Sequence, residues 1–138
     1  MKLLPPNIFL FAYGTLLHHE LAPPAIQALV RQLTRVDRGT IAGALYDLGE
    51  YPGAVRDDSG ASVHGIVYAL PDRELLEKFD DYEGIDRQHP VDNLFVRRRV
   101  MAALENGDRV RCWVYLYNQS LEGKVRIPSG IYLPKNKD

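Results

Sequence analysis

Cysteine is nearly absent from the 138-residue sequence, which contains only Cys112. A single thiol cannot form an internal disulfide framework, and such a composition is typical of proteins from reducing compartments. The sequence also lacks an apolar run long enough to cross a membrane, and its first residues lack the apolar length and the cleavage site of a signal peptide. We therefore expect a cytoplasmic protein that has no membrane partner.

Neither sign of charge is in excess, because 17 Lys and Arg residues stand against 18 Asp and Glu residues. The single basic run covers residues 97–99. In a strand Arg97 and Arg99 would share one face and Arg98 would take the other, so the run does not form one patch. With no aromatic platform and no wider basic excess beside it, we expect no nucleic-acid partner.

Several motifs of cofactor and metal chemistry are missing. The sequence has no glycine-rich phosphate loop, no nucleophile elbow and no H-E-x-x-H helix. The four histidines, His18, His19, His64 and His89, do not have the spacing of metal ligands. Cys112 lies within an apolar strand pattern and is interpreted as a buried, inert thiol. We therefore expect no cofactor and no metal.

The length and the 46% content of apolar residues fit one globular domain over residues 1–138. Hydrophobic periodicity predicts helices at 24–33 and 72–80, strands at 8–12, 40–47, 63–69, 95–103 and 110–117, and an irregular tail from about residue 118. Strands dominate and helices are few. This pattern predicts an α+β fold with a mixed, curled sheet or a small barrel.

The most informative acidic stretch is KFDDYEGID, residues 78–86. Gly84 is well placed to end the predicted helix, and Glu83 comes directly before it. Asp81 and Glu83 are two residues apart at this helix end and point in different directions, which argues against a paired acid and base. A carboxylate near a helix C-terminus gains nothing from the helix dipole. Both a solvated and a functional role for Glu83 remain open at this point.

The sequence resembles the γ-glutamylcyclotransferase-like, AIG2-like family over nearly its whole length. The resemblance depends on the order and approximate spacing of seven stretches, FAYGTLL (11–17), GALYDLGEYPGAV (43–55), VHGIVYAL (63–70), LEKFDDYEGID (76–86), FVRRRVMA (95–102), CWVYLYN (112–118) and IPSG (127–130). It implies a mixed, barrel-like α+β fold with a central cavity.

The same resemblance assigns roles to individual residues. It implies that Glu83 is the catalytic acid and base, and that Tyr13, Gly14, Thr15 and Leu16 form one wall of the pocket. Further substrate-binding positions are a loop near the cavity and the arginine of a Tyr-x-Arg motif, which correspond here to Tyr51, Pro52, Gly53 and Arg97. Phe95 occupies the Tyr position of that motif, so one hydroxyl of the family site is missing here.

The family's reaction is an intramolecular aminolysis that needs no cofactor. The α-amine of a small-molecule γ-glutamyl substrate attacks its own side-chain amide, which releases 5-oxoproline and a free amine or amino acid. Two alternatives stay open: a non-catalytic small-molecule-binding domain of the same fold, and an amide hydrolase in which Glu83 activates water.

Gly14 raises a separate question, because glycine packs nothing and is a poor choice in a plain strand. One interpretation is that the backbone N–H groups of residues 14–16 approach a ligand anion closely. The other is that a tight strand-to-helix turn requires the glycine.

Overall fold

The structure is a computed structural model that describes residues 8–14 and 24–133. Its elements, in chain order, are β1 (Ile8–Ala12), α1 (Pro24–Val30), β2 (Thr34–Ala42), β3 (Ala44–Asp47), β4 (Pro52–Val55), β5 (Ser62–Leu70), α2 (Arg73–Tyr82), a single 3-10 turn (Pro90–Asp92), β6 (Phe95–Leu104), β7 (Arg109–Tyr117) and β8 (Val125–Ile127). None of the helices in these ranges is long and apolar enough to span a membrane.

Five of the strands close into a barrel in the order β1-β5-β2-β6-β7. The barrel closes through a parallel contact between Leu10 of β1 and Trp113 of β7, whereas the other neighbours are antiparallel. The remaining strands form a separate three-stranded sheet, β4-β3-β8. The two α-helices of the described residues, together with a closed, mixed sheet, confirm the predicted α+β fold with a small barrel.

Strand alternation divides the apolar residues into two cores. One core lies inside the barrel and includes Phe11, Val67 and Val114. The second lies between the outer face of the barrel and the helices, and there Leu10 of β1 packs with Phe79 of α2. The second core fixes α2 against the barrel wall.

Helix α2 has well-defined signals at both ends. Asp72 caps its start by accepting a hydrogen bond from the Leu75 amide at 2.9 Å. At its end Gly84 has a φ of +71° and donates to Asp81 O, while Ile85 donates to Asp80 O. These two bonds make a Schellman motif. The prediction that Gly84 ends the helix is therefore confirmed.

Several details of the sequence prediction are wrong. Strand β2 begins at Thr34 and not at residue 40, and β4 was not predicted. The helix at 24–33 ends at Val30, where the chain tightens into i→i+3 bonds from Gln32 and Leu33. The strand at 40–47 is two strands, interrupted at Gly43, where a Cβ atom would lie 2.7 Å from the Val55 carbonyl oxygen. The irregular tail contains β8, which pairs with β3.

Candidate active site

A cavity of about 290 Å³ lies where the end of β1, the start of β4, the C-terminal end of α2 and the start of β6 meet. Its volume is at the small end of the range for ligand pockets. Among the described residues, its lining consists of Phe11, Ala12, Tyr13, Gly14, Tyr51, Pro52, Tyr82, Glu83, Leu94, Phe95 and Tyr115.

Glu83 is the only carboxylate in this described lining. It is the residue that follows the last turn of α2, and its own amide donates to Phe79 O at 2.9 Å. Burial of the carboxyl, followed by the negative charge of Asp80, raises the pKa of Glu83 from 4.5 to about 7. At neutral pH this side chain can therefore both accept and donate a proton.

Another part of the wall is formed by Tyr13, which follows β1 and links it to β7 and β4. Its hydroxyl donates to the carbonyl oxygen of Tyr115 on β7 at 2.5 Å and accepts from the amide of Ala54 on β4 at 3.1 Å. Burial raises the pKa of Tyr13 well above its usual value. The phenol therefore stays neutral and serves as a rigid support for the wall.

Gly14 lies against Pro52 within the cavity wall. A Cβ atom at position 14 would lie 2.9 Å from Pro52 Cγ and 3.1 Å from Pro52 Cδ. At least one of the groups that approach this glycine closely is therefore the side chain of Pro52, from the start of β4. The approach of a ligand anion to the same turn remains a prediction.

The structure brings most of the predicted site residues together. Tyr13, Gly14, Tyr51, Pro52 and Glu83 all line the one cavity. Thr15 and Leu16 lie outside the described residues.

Gly53 and Arg97 are not among the described residues that line this cavity. Gly53 lies behind the wall, where a Cβ atom would lie 2.7 Å from Leu48 Cδ1 and 2.9 Å from Tyr117 Cβ. The prediction treated residues 51–53 as a loop, but Pro52 and Gly53 belong to β4, whose pairing with β3 gives them extended backbone.

Arg97 lies instead on a neighbouring charged cluster. Its Nε atom is 2.8 Å from Oδ1 of Asp80, and its guanidinium lies 4.3 Å from the centroid of the Trp113 ring. Arg99 lies over the same ring, so these two arginines share one face of β6 as the alternation predicted. Arg97 is thus connected to the cavity lining through Asp80, which accepts a hydrogen bond from Tyr115.

Asp80 is a residue that the sequence analysis missed. It is 3% exposed, and its Oδ1 atom accepts a hydrogen bond from the hydroxyl of Tyr115 at 2.6 Å. A signal was available, because Asp80 lies four residues after Leu76 and three before Glu83, on the apolar stripe of α2. A carboxylate on an apolar stripe requires a buried partner.

Phe95 belongs to an aromatic cluster at the edge of the cavity. Its ring centroid lies 5.9 Å from that of Tyr51 and 6.0 Å from that of Tyr117. Phe95 is 8% exposed, so it presents tightly packed carbon surface at this position. This part of the cavity offers apolar contact to a ligand.

The described lining contains neither Lys nor Arg. In the same part of the chain, no group of three or more His, Cys, Asp or Glu residues is arranged to hold a metal ion. Cys112 is 1% exposed in the barrel core, and burial raises its pKa to about 12, in keeping with an inert thiol.

Comparison with known proteins identifies the family. The family model described as gamma-glutamyl cyclotransferase, AIG2-like, matches residues 10–134. The chain belongs to this family. The family's Escherichia coli K12 protein YtfP is 29% identical over 93 residues, which cover 67% of this chain and 70% of YtfP. A Vibrio cholerae relative, whose name assigns it provisionally to the gamma-glutamylcyclotransferases, is 35% identical over 120 residues, covering 87% of this chain and 90% of that protein.

Solved structures of other proteins share the fold. YkqA from Bacillus subtilis superposes with a TM-score of 0.68 at 23% identity over 92% of this chain, which spans 40% of YkqA. A solved structure named gamma-glutamyl cyclotransferase superposes with a TM-score of 0.61 at 17% identity. The match covers 81% of this chain and 67% of the chain in that structure. At these identities the likeness concerns the fold of the family and not the substrate.

Proposed function

We propose that this protein is a γ-glutamyl cyclotransferase, with Glu83 as its catalytic acid and base. The substrate's α-nitrogen attacks the carbonyl carbon of its own γ-amide, and a carbon–nitrogen bond forms as the ring closes. The bond to the leaving nitrogen then breaks. The products are 5-oxoproline and a free amine, and no water is consumed. Two protons leave the α-ammonium group as the lactam forms. Glu83 accepts each in turn and passes it to the leaving nitrogen, so the amine departs as an ammonium ion.

The observation that carries the proposal is a carboxyl in the cavity with a pKa of about 7. An α-ammonium group has a pKa of about 8, so an ordinary carboxylate near 4.3 would take its proton at a cost of about 5 kcal/mol. A carboxylate with a pKa near 7 lowers this cost to about 1.4 kcal/mol. The same group, once protonated, is acidic enough to protonate the leaving nitrogen.

The substrate's α-carboxylate needs a different partner, because no cation is present in the described lining. Backbone N–H groups at the end of β1, beginning at Gly14, are the best candidates, since successive amides in a turn form an anion-binding concavity. A cavity of about 290 Å³ has room for the γ-glutamyl part of such a substrate.

The test is to incubate the purified protein with a panel of γ-glutamyl amines, γ-glutamyl amino acids and ε-(γ-glutamyl)lysine and to measure both possible products. Release of 5-oxoproline that falls on the order of 10²–10⁴ in kcat for Glu83→Gln supports the proposal. The exposed neighbour Asp81 supplies the matched control, Asp81→Asn, which should retain activity.

Other outcomes contradict the proposal in different ways. Free glutamate in place of 5-oxoproline would indicate a hydrolase. Binding of panel members without either product would indicate a binding domain. Full turnover by Glu83→Gln would remove this carboxyl from the mechanism.

A further inference from the structure

Asp80 is the only charged residue in the described part of the chain that is buried. It does not line the cavity with Glu83, but it lies on the last turn of the same helix. Three groups from three parts of the chain meet its carboxylate. They are the Tyr115 hydroxyl of β7 at 2.6 Å, Arg97 Nε of β6 at 2.8 Å and Arg87 Nη2, from the segment after α2, at 3.1 Å.

These contacts join the C-terminal end of α2 to the β6-β7 hairpin. Tyr115 is both a partner of Asp80 and part of the cavity lining, so the same phenol connects the charged cluster with the site. A buried carboxylate paired with one exposed and one largely buried but still partly accessible arginine is a poor choice for stability alone, since apolar residues of similar volume are often as stable. Asp80 lies three residues before Glu83, one helical turn away, which indicates a role at the candidate active site.

We propose that Asp80 is a positioning residue of the candidate active site. From the last turn of α2, the Asp80 carboxylate orients Tyr115 and anchors Arg97. It also holds the end of the helix, and with it the Glu83 carboxyl, against the cavity while placing a negative charge near that carboxyl. The proposal rests on the proposed function of Glu83 for its catalytic meaning, but its physical content concerns the protein without substrate.

The effect of Asp80 on the pKa of Glu83 has to be considered together with the other titratable groups that face Glu83. These are Asp80 and Tyr82 on its own helix, Tyr13 from β1, Tyr51 from the segment before β4 and Tyr115 from β7. The four tyrosines have raised pKa values and remain neutral near pH 7. Asp80 is therefore the charged member of this set, and Arg97 offsets part of that charge from 2.8 Å away.

The test is a titration of uniformly ¹³C-labelled protein, in which the Glu83 carboxyl carbon reports its midpoint without any substrate. For Asp80→Asn we expect the midpoint to fall by about one pH unit, because a like charge is removed and the Arg97 charge stays. Asp81→Asn is the matched control, one residue away but exposed, and it should leave the midpoint unchanged. An unchanged midpoint in Asp80→Asn, or an equal fall in Asp81→Asn, overturns the proposal.

Asp80→Asn removes one partner of a buried ion pair and risks unfolding the protein. If Asp80→Asn does not fold, Arg97→Gln tests the same proposal. It removes the positive charge that partly offsets Asp80, so the titration midpoint of Glu83 should rise. A midpoint that falls or stays in place in Arg97→Gln counts against the proposal.

Tyr115→Phe tests the positioning part without changing any charge. Loss of the 2.6 Å bond to Asp80 should speed amide exchange at Glu83 and Ile85 relative to the barrel amides of β5. Equal protection of these amides in Tyr115→Phe and wild type would refute the positioning role, even if both charge variants fail to fold.

Turnover separates this proposal from the proposed function. If 5-oxoproline is released, Asp80→Asn should lower kcat about tenfold or more with little change in KM, and the acid limb of its pH profile should move to lower pH. If the wild type releases no 5-oxoproline from any γ-glutamyl compound, the proposed function fails. The titration and the amide-exchange measurements still test the positioning role of Asp80, because they need no substrate.

Discussion

Replacement of Glu83 by Gln should stabilise the protein, and the gain should depend on pH. The folded state raises the pKa of Glu83 to about 7 from an ordinary value of 4.5, so it binds the proton more tightly than the unfolded chain does. The stability that comes from the protonated carboxyl is fully present below about pH 4.5 and is lost as pH rises through about 7. Glutamine, which is always neutral, avoids this loss.

The magnitude follows from the two pKa values. Their difference of about 2.5 corresponds to about 3 kcal/mol, at 1.36 kcal/mol for each pKa unit. Linkage then predicts a stabilisation of Glu83→Gln of at most about 1 kcal/mol at pH 5 and about 3 kcal/mol at pH 8. For a chain of 138 residues, the value at pH 8 corresponds to a rise in Tm of about 10 °C.

The assay is thermal and urea unfolding of wild type, Glu83→Gln and Asp81→Asn at pH 5 and pH 8. Asp81 is exposed, so its variant should stay within about 0.5 kcal/mol of wild type at both pH values. The reasoning is refuted if Glu83→Gln is less stable than wild type at pH 8, or if its effect is the same at both pH values. A stabilised variant that has lost turnover would separate the chemical role of Glu83 from a structural one.

Four further results are expected. If the protein turns over γ-glutamyl substrates, kcat/KM should rise with pH through a midpoint near 7, the pKa of Glu83, before any base limb appears. Gly14→Val should weaken substrate binding and lower Tm, because even its Cβ atom would lie 2.9 Å from Pro52 Cγ, and unchanged KM and Tm would contradict this. Tyr13→Phe should lower the free energy of unfolding by about 1–3 kcal/mol in urea titrations, since it leaves a buried amide without its acceptor. Cys112 should react with iodoacetamide only after unfolding, and rapid labelling of the native protein would show that its burial is wrong.

The parts of the structure that the sequence predicted best depend on local patterns. Helix α2 has a capping aspartate, an apolar stripe of Leu75, Leu76 and Phe79, and a terminal glycine, and all three signals agree. Because helix phase and length follow from these signals, Glu83 was predicted directly at the helix end. The five barrel strands were also recognised from their composition, with the exception that β2 was predicted to begin too late and to continue through β3.

The parts that were missed depend on long-range contacts. Short strands such as β4 and β8 become strands only because β3 pairs with them on both sides. The neighbour of Gly14 is Pro52, which is distant in sequence, and no local pattern predicts their approach. Arg97 could be placed on a face of β6, but its position over Trp113 and against Asp80 follows from the register between β6 and β7 and from the docking of α2.

The location of Glu83 at a helix C-terminus, which appears unfavourable from the sequence, fits its proposed use. The negative end of the helix dipole disfavours an ionised carboxyl there, and burial in the cavity and the charge of Asp80 act in the same direction. A base at the N-terminus of a helix would have its pKa lowered by the same dipole and would be too weak to take a proton from an ammonium group. The Schellman end of α2 therefore does two things at once: it stops the helix at the cavity, and it presents the carboxyl where its ionised form is least stable.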